Sequence, residues 1–441
     1  MRIAWFTPFS KKSAIGLYSK YACEALGEKH DVQIYTPHAD ELYETALQVT
    51  QFDSPEDIFW GQIDVCFYNI GDNSLYHSQI VDCLMQHPGI LVLHDRSILN
   101  LWVGYYISHR NSLDELRSVL KAQYTVAGAD EILSAMSDVQ KWNSLDYERY
   151  SGLELILPYA KGILVHSHFH KEFVRRFYRG PIKVAYFPFV CNHLCPSRRE
   201  RPEIIQLLTV GYVNPNKRIA QVIEAIGQEN QLSKHIKYTV AGGLDNSPYV
   251  AELEALIKRY HLEDQVLLNG YTTNQELEAF YQAADILINL RNPALEGASW
   301  SLVEQMYTGK PIIVSNTGFY GEIPSDCVYP ISADTSQEVT EIRKALCWMV
   351  EHWDQALEIG QNAYHCAKTS FSPKQYAENV ADFLNIQTFQ EPLEQLIDYI
   401  CYEFQAIGID SGMEICREYA NELEKLFFLP PHRTDTSTGK S

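Results

Sequence analysis

The sequence predicts an α/β protein built from two doubly wound parallel sheets. Three observations carry this. Short β-branched or aromatic runs alternate with helical ones along most of the chain, the signature of βαβ units. The alternation stops near residue 190, crosses a polar, proline-bearing stretch and resumes near 205. With 441 residues, the chain is long enough for two or three domains that each bury a core.

In the first series, Met1–Phe6 reads as a strand, Tyr18–Gly27 as an amphipathic helix and Val32–Tyr35 as a second strand. Val65–Asn69 and Ile90–His94 follow as strands, with a helix from about His77 to Met85 between them. Residues 97–160 hold aromatic-rich helical stretches that interrupt the alternation; Ile163–His166 resumes it and Ile182–Phe187 closes the sheet. Val190–Pro202 lacks periodicity and reads as a linker. The second series runs through Ile205–Gly211, Tyr238–Gly242, Val266–Leu268, Ile286–Leu290 and Ile312–Val314. These readings give domains at 1–192 and 203–370. A crossover helix and helical appendage are expected at 371–430, and a disordered tail at 431–441.

Bulk properties narrow the function. Hydrophobic content of 46% with 21% charged residues is that of a globular domain. No apolar run approaches a membrane span and MRIAWFTP reads as a strand rather than a leader, so a cytoplasmic protein is expected. The net charge of −20 argues against nucleic acid as a partner, because such binding needs Lys and Arg facing phosphates. Residues 1–200 carry 19 basic and 23 acidic groups, so most of the acidity lies beyond them. Of the ten cysteines, Cys191 and Cys195 in CNHLC are the nearest pair, with only His193 beside them. That is short of a four-ligand zinc site, and free thiols in a reducing compartment are expected.

The chemistry concentrates between residues 289 and 324, NLRNPALEGASWSLVEQMYTGKPIIVSNTGFYGEIP. Glu296 and Glu304 are separated by seven residues, the second in an apolar helical run ending at Gly309 and followed by the β-like Pro311–Val314. This order places Glu296 on a loop at the C-terminal edge of a sheet and Glu304 about two turns into the next helix. The helix start between them offers free N–H groups and a positive dipole end to a diphosphate. Carboxylates on either side accept hydrogen bonds from hydroxyls. A sugar, two phosphates and a ribose present matching groups in matching order. Lys217 and Arg218, at a helix start after the run LLTVGYVNPNKR, can neutralise such a diphosphate.

This stretch resembles the E-x7-E signature of retaining glycosyltransferases of family 4, which have the two-Rossmann GT-B architecture. The resemblance covers roughly residues 1–385 and is strongest from 205 to 325, where Gly309-Lys-Pro-Ile-Ile-Val314 and Gly318-x-x-x-Glu322 belong to it. It implies that Glu296 contacts the donor sugar and Glu304 the ribose. Gly297, Ala298 and Ser299 stand where the family has Gly-Phe-Gly at the phosphates. Lys217 matches a family lysine on the diphosphate, while Tyr212 occupies the position of the partnering arginine. The loop Thr7–Gly16 sits where the family has a glycine-bearing loop at the cleft, with Ala14 in the expected glycine position and Gly16 two residues later. His94, ending the run LVLHD, matches an active-site histidine beside the donor sugar, and Asp95 either orients it or meets the acceptor hydroxyl. His166 matches another family strand end, and Ser167 after it equally suits a helix cap. Gly242, Gly243 and Tyr271 lie where the family meets the nucleotide, Tyr271 at the base.

The implied protein is a retaining glycosyltransferase with a nucleotide-sugar donor on the second domain and a glycan or lipid-linked acceptor on the first. No Asp-x-Asp occurs in the chain, so metal-independent chemistry with no further cofactor is expected. A catalytically silent GT-B partner subunit and a GT-B nucleotide-sugar epimerase are the alternatives. The run Lys171–Lys183 has five basic groups, one acidic and interleaved Phe173, Phe177 and Tyr178. It suits either a helix packed on the first sheet or a weak peripheral contact with the inner face of a membrane.

Overall fold

A computed structural model describes residues 1–385 except 38–39, 139–140, 143, 192–199, 245–247 and 295. The chain divides into two compact units, Met1–Ala381 and Asp382–Ser441. The expected appendage at 386–430, the tail, and most of the linker with His193 and Cys195 lie outside the described residues.

The first unit contains two parallel sheets. One is formed by β1 (Arg2–Phe6), β2 (Asp31–Thr36), β3 (Gln48–Gln51), β4 (Val65–Ile70), β5 (Gly89–Leu93), β6 (Ala160–Val165) and β7 (Ile182–Val184), in the order 3-2-1-4-5-6-7. The other has β8 (Ile205–Val210), β9 (Ile236–Ala241), β10 (Val266–Gly270), β11 (Ile286–Asn289), β12 (Ile312–Ser315) and β13 (Tyr329–Ile331), in the order 10-9-8-11-12-13. Every residue of β5, β11 and β12 is buried, because helices cover both faces of these strands, which are accordingly apolar up to the polar Asn289 and Ser315 at the ends of β11 and β12. Both orders reverse at their first strand, a switch point that opens a crevice at the strands' C-terminal ends.

Several expectations shift. The first helix begins at Ala14 rather than Tyr18 and the second runs Ser74–Gln86, with Asn73 accepting from Leu75 N at 3.0 Å as its N-cap. The last strand of the first sheet stops at Val184. Residues beyond it carry Phe187 and Phe189 to the second half, where Trp300 stacks on Phe187 and meets Phe189 at a tilt, at ring-centroid distances of 5.4 and 4.8 Å. Tyr307 Oη also donates to the Phe189 carbonyl at 3.2 Å. Residues from 373 form a helix whose buried Tyr376 hydrogen-bonds through its hydroxyl to that of Tyr18 on the first helix. The chain thus crosses back to the first sheet. Helical segments inserted between β5 and β6 build a satellite core around Leu116, Leu120, Ile132 and Tyr150.

Candidate active site in the cleft between the sheets

A cavity of about 800 Å³ lies between the sheets, lined by Asp72, Asp95, Arg96 and Asn100 from the first and by Asn214, Asn216, Arg218, Asn292 and Glu296 from the second. The halves touch at its edge. Asp95 and Glu296 form an antiparallel bridge, and Arg96 Nη1 donates to the Ala294 carbonyl at 3.3 Å. Ser167 Oγ donates to the Gly297 carbonyl. Glu322 accepts from the backbone N–H groups of His168 and Phe169, the former at 2.9 Å. It caps the helix His168–Arg175, so a carboxylate of one half neutralises the positive dipole end of a helix in the other.

Glu296 stands on the loop after β11, partly buried. Its Oε1 accepts from Arg291 Nε at 3.1 Å and from Tyr320 Oη at 2.5 Å. These bonds fix the carboxylate's direction, one of them as an ion pair with the guanidinium. The next helix is Trp300–Tyr307, with Ser299 as N-cap accepting from Leu302 N at 3.3 Å. Gly309 beyond it adopts a left-handed φ of 67°, the usual glycine stop. Because this helix starts only at Trp300, Glu304 sits just over one turn in rather than two. Tyr281 Oη donates to Glu304 Oε2 at 2.8 Å. Ala298 is partly buried between Gly297 and the cap. A Cβ on Gly297 would overlap His170 Nδ1 and come within 2.9 Å of the His94 carbonyl oxygen.

Lys217 is buried, with Nζ donating to the Val210 carbonyl at 2.6 Å. Burial pushes its pKa down to about 7, with Arg291's charge adding to the effect and Glu296 opposing it. Arg218 has a left-handed φ of 58° and its Nε reaches the buried Glu338 at 2.8 and 3.0 Å. It lines the cavity, but its charge is engaged by that carboxylate. At the end of β9, a Cβ on Gly242 would overlap the Gly211 carbonyl oxygen, and the exposed Tyr212 packs on Gly243. Tyr271, after β10, is 84% exposed and offers an open aromatic face. Gly16 is held against the first loop: a Cβ there would stand 2.6 Å from the Ser10 carbonyl oxygen.

His94 turns inward. Its Nε2 lies 3.1 Å from Asn69 Oδ1, with the Tyr18 and His166 rings against it. Burial, then the neighbouring His166, His77 and His170, hold its pKa well below the ordinary histidine value, so the ring is neutral. It is the backbone carbonyl of His94 that meets Gly297. His166 is buried, its Nδ1 2.9 Å from the Ala185 carbonyl, and burial lowers its pKa to about 4. Ser167 caps the next helix, accepting from His170 N at 3.0 Å. Asp95 Oδ2 accepts from Asp72 N at 2.9 Å. Burial raises the Asp95 pKa, Asp72 N opposes and Glu296 adds.

Spacing alone did not point to Arg291, Tyr320, Tyr281 or Asp72. A charged residue directly after an apolar strand run was the available signal for Arg291. In the basic run, Phe173 is buried in the first core and Phe177 packs against that core. Arg176 pairs with Glu148 at 3.3 Å, so the aromatics of this run face inward. Among the described residues no helix is long and apolar enough to cross a membrane.

Residues 197–366 match the family model described as Glycosyl transferases group 1. Lipopolysaccharide 1,2-N-acetylglucosaminetransferase of Salmonella typhimurium is 23% identical over 254 residues, which is 52% of this chain and 61% of that enzyme's length. Among solved structures, sucrose-phosphate synthase from Thermosynechococcus elongatus superposes with a TM-score of 0.60 at 15% identity, over 89% of this chain and all of that one. Anabaena HepE, crystallised with UDP and glucose, superposes with a TM-score of 0.55 at 16% identity, over 87% of this chain and 99% of that one. The chain therefore has the GT-B fold, and its second half matches the Glycosyl transferases group 1 family.

Proposed function

We propose that the protein is a retaining glycosyltransferase that moves a sugar from a nucleotide-diphosphate-sugar to a hydroxyl of a glycan or lipid-linked acceptor. The observation that carries the reading is the helix start at Ser299, flanked by Glu296 and Glu304 with Lys217 close to Glu296. Glu296 meets the donor sugar, Glu304 the ribose, and the Gly297–Ala298–Ser299 backbone with Lys217 the diphosphate. Tyr271, Gly242 and Gly243 border the nucleoside. Asp95 and His166 belong to the acceptor side of the first domain, whereas Gly16 of that domain borders the donor and His94 belongs to the catalytic set beside the donor sugar.

In the step proposed, the bond from the sugar's anomeric carbon to the phosphate oxygen breaks and a bond to the acceptor oxygen forms on the same face. The acceptor's proton passes to the leaving phosphate. Lys217 and the helix dipole stabilise the charge that develops there. No metal or further cofactor is required, so turnover should persist in EDTA; activity restored only by magnesium or manganese would overturn that part. Any contact with an anionic membrane would rest on the charges of Lys171, Arg175 and Arg179, since Phe173 and Phe177 face inward. A catalytically silent subunit has no such need of Glu296, Glu304 and Lys217 together. Thermal shift with UDP, GDP, ADP and their sugars tests the reading, because a ligand at 100 times its Kd adds about 2.7 kcal/mol of stability. No shift with any of them would refute it.

A further inference from the structure

Strands β8 and β11 are parallel neighbours, so the residues that follow them emerge side by side at one sheet edge. Lys217 comes from the turn after β8 and Arg291 from the loop after β11. The Asn292 N–H donates to the Asn216 carbonyl at 2.9 Å, tying the residue after Arg291 to the residue before Lys217. Both side chains are buried, and they are close enough for Arg291 to oppose protonation of Lys217. Glu296 is the carboxylate that interacts with both. A surplus of buried positive charge is unfavourable until an anion completes it.

The guanidinium is only partly satisfied. Its Nε donates to Glu296 and its Nη1 to the Leu290 carbonyl at 2.9 Å. Among the described residues no protein acceptor meets Nη2, and the side chain keeps 11% of its surface exposed. Arg218 cannot serve equally, being engaged by Glu338. Tyr212, in the position where the resembling family has an arginine, is uncharged and exposed.

We propose that Arg291 is a donor-site residue whose free guanidinium edge binds the diphosphate of the nucleotide sugar beside Lys217, while its Nε holds Glu296 in place. The arginine of the site is thus supplied by the end of β11 rather than the loop after β8. This inference rests on the donor-site reading above.

Calorimetry with UDP, GDP and ADP and with the matching nucleosides tests it on wild type, R291Q, R291K, K217M and E296Q, each checked by thermal melting. R291Q should weaken the diphosphate that wild type binds by roughly 10- to 100-fold, the range for a charge-assisted hydrogen bond, and leave the nucleoside nearly unchanged. R291K, which keeps the charge without the fork, should fall between and carries the test if R291Q does not fold. E296Q should change diphosphate binding little. In R291Q the decline of diphosphate affinity with rising pH should also move to higher pH, because the charge opposing Lys217 is gone; lost diphosphate affinity beside unchanged nucleoside affinity is what separates a phosphate contact from a general structural role. If K217M loses affinity and R291Q does not, the inference fails and the donor reading stands. Equal losses in R291Q and E296Q would mean that Arg291 acts only through Glu296, which also overturns it. If no nucleoside diphosphate binds wild type, the donor reading falls and the inference with it.

Discussion

Replacing Lys217 with methionine should stabilise the protein while damaging its proposed function. The native ammonium group is buried beside Arg291 and has a pKa near 7 instead of 10.5, from burial first and Arg291 second. Between those values the unfolded chain binds more protons than the folded one, so stability rises with pH across that window. The cost of housing Lys217 is greatest below pH 7 and disappears above 10.5. A displacement of this size corresponds to roughly 4–5 kcal/mol at its maximum. Lys217→Met removes that cost but leaves the Val210 carbonyl without its 2.6 Å donor, a loss of roughly 1–3 kcal/mol. The net gain should be roughly 1–4 kcal/mol at about pH 6.5 and should shrink by roughly 3 kcal/mol at about pH 9.5. Urea unfolding of both proteins at the two pH values measures it, and calorimetry alongside should show nucleoside-diphosphate binding weakened by roughly 1.5–3 kcal/mol. A variant destabilised equally at both pH values would show that Lys217 is not held against its charge, and the reasoning would fail.

Glu304→Gln should weaken binding of nucleoside diphosphate, whereas Glu296→Gln should spare it and lower turnover; unchanged affinity in Glu304→Gln would remove the ribose assignment. Burial raises the Asp72 pKa to about 7, so the folded state holds a proton that the unfolded chain releases, and this contribution to stability is lost as pH rises from about 4 to 7. Asp72→Asn should flatten that part of the stability–pH curve, by at most roughly 4 kcal/mol; an unaltered curve in urea titrations would contradict the shift. Gly242→Ala forces a methyl group against the Gly211 carbonyl and should lower stability by roughly 1–3 kcal/mol. A wild-type melting temperature would mean that the ends of β8 and β9 separate easily.

The central strands were legible because strands buried on both faces are written as unbroken apolar runs, as in GILVL and the IIV that opens β12. The edge strands β3 and β13 were not. QVTQ is polar and half exposed, and YPI is interrupted by Pro330, so neither bears a core's imprint. In the site, the Glu296–Glu304 spacing showed because both lie in one continuous segment. The settings of the other site residues depend on residues distant in the chain. Tyr320 reaches Glu296 across 24 positions and Arg218 reaches Glu338 across 120. Local spacing carries no trace of such encounters. The inward turn of His94 was hidden for the same reason, since Tyr18, Asn69 and His166 decide it together.

The cap that Glu322 places on the helix His168–Arg175 bears on how the molecule can be divided. A fragment ending near residue 190 would lack the carboxylate that satisfies that helix start, and would expose Phe187 and Phe189 without Trp300. A fragment beginning near 203 would keep Glu322 with no backbone N–H groups to receive it and Trp300 with one face bare. Loss of a cap costs roughly 0.5–2 kcal/mol, and the uncovered rings add an adhesive patch. Each half on its own should thus be soluble only with difficulty, and co-expressed halves should find one another. Chimaeras that exchange the second half for a relative's will need the partner residues 167–169 and 187–189 exchanged with it.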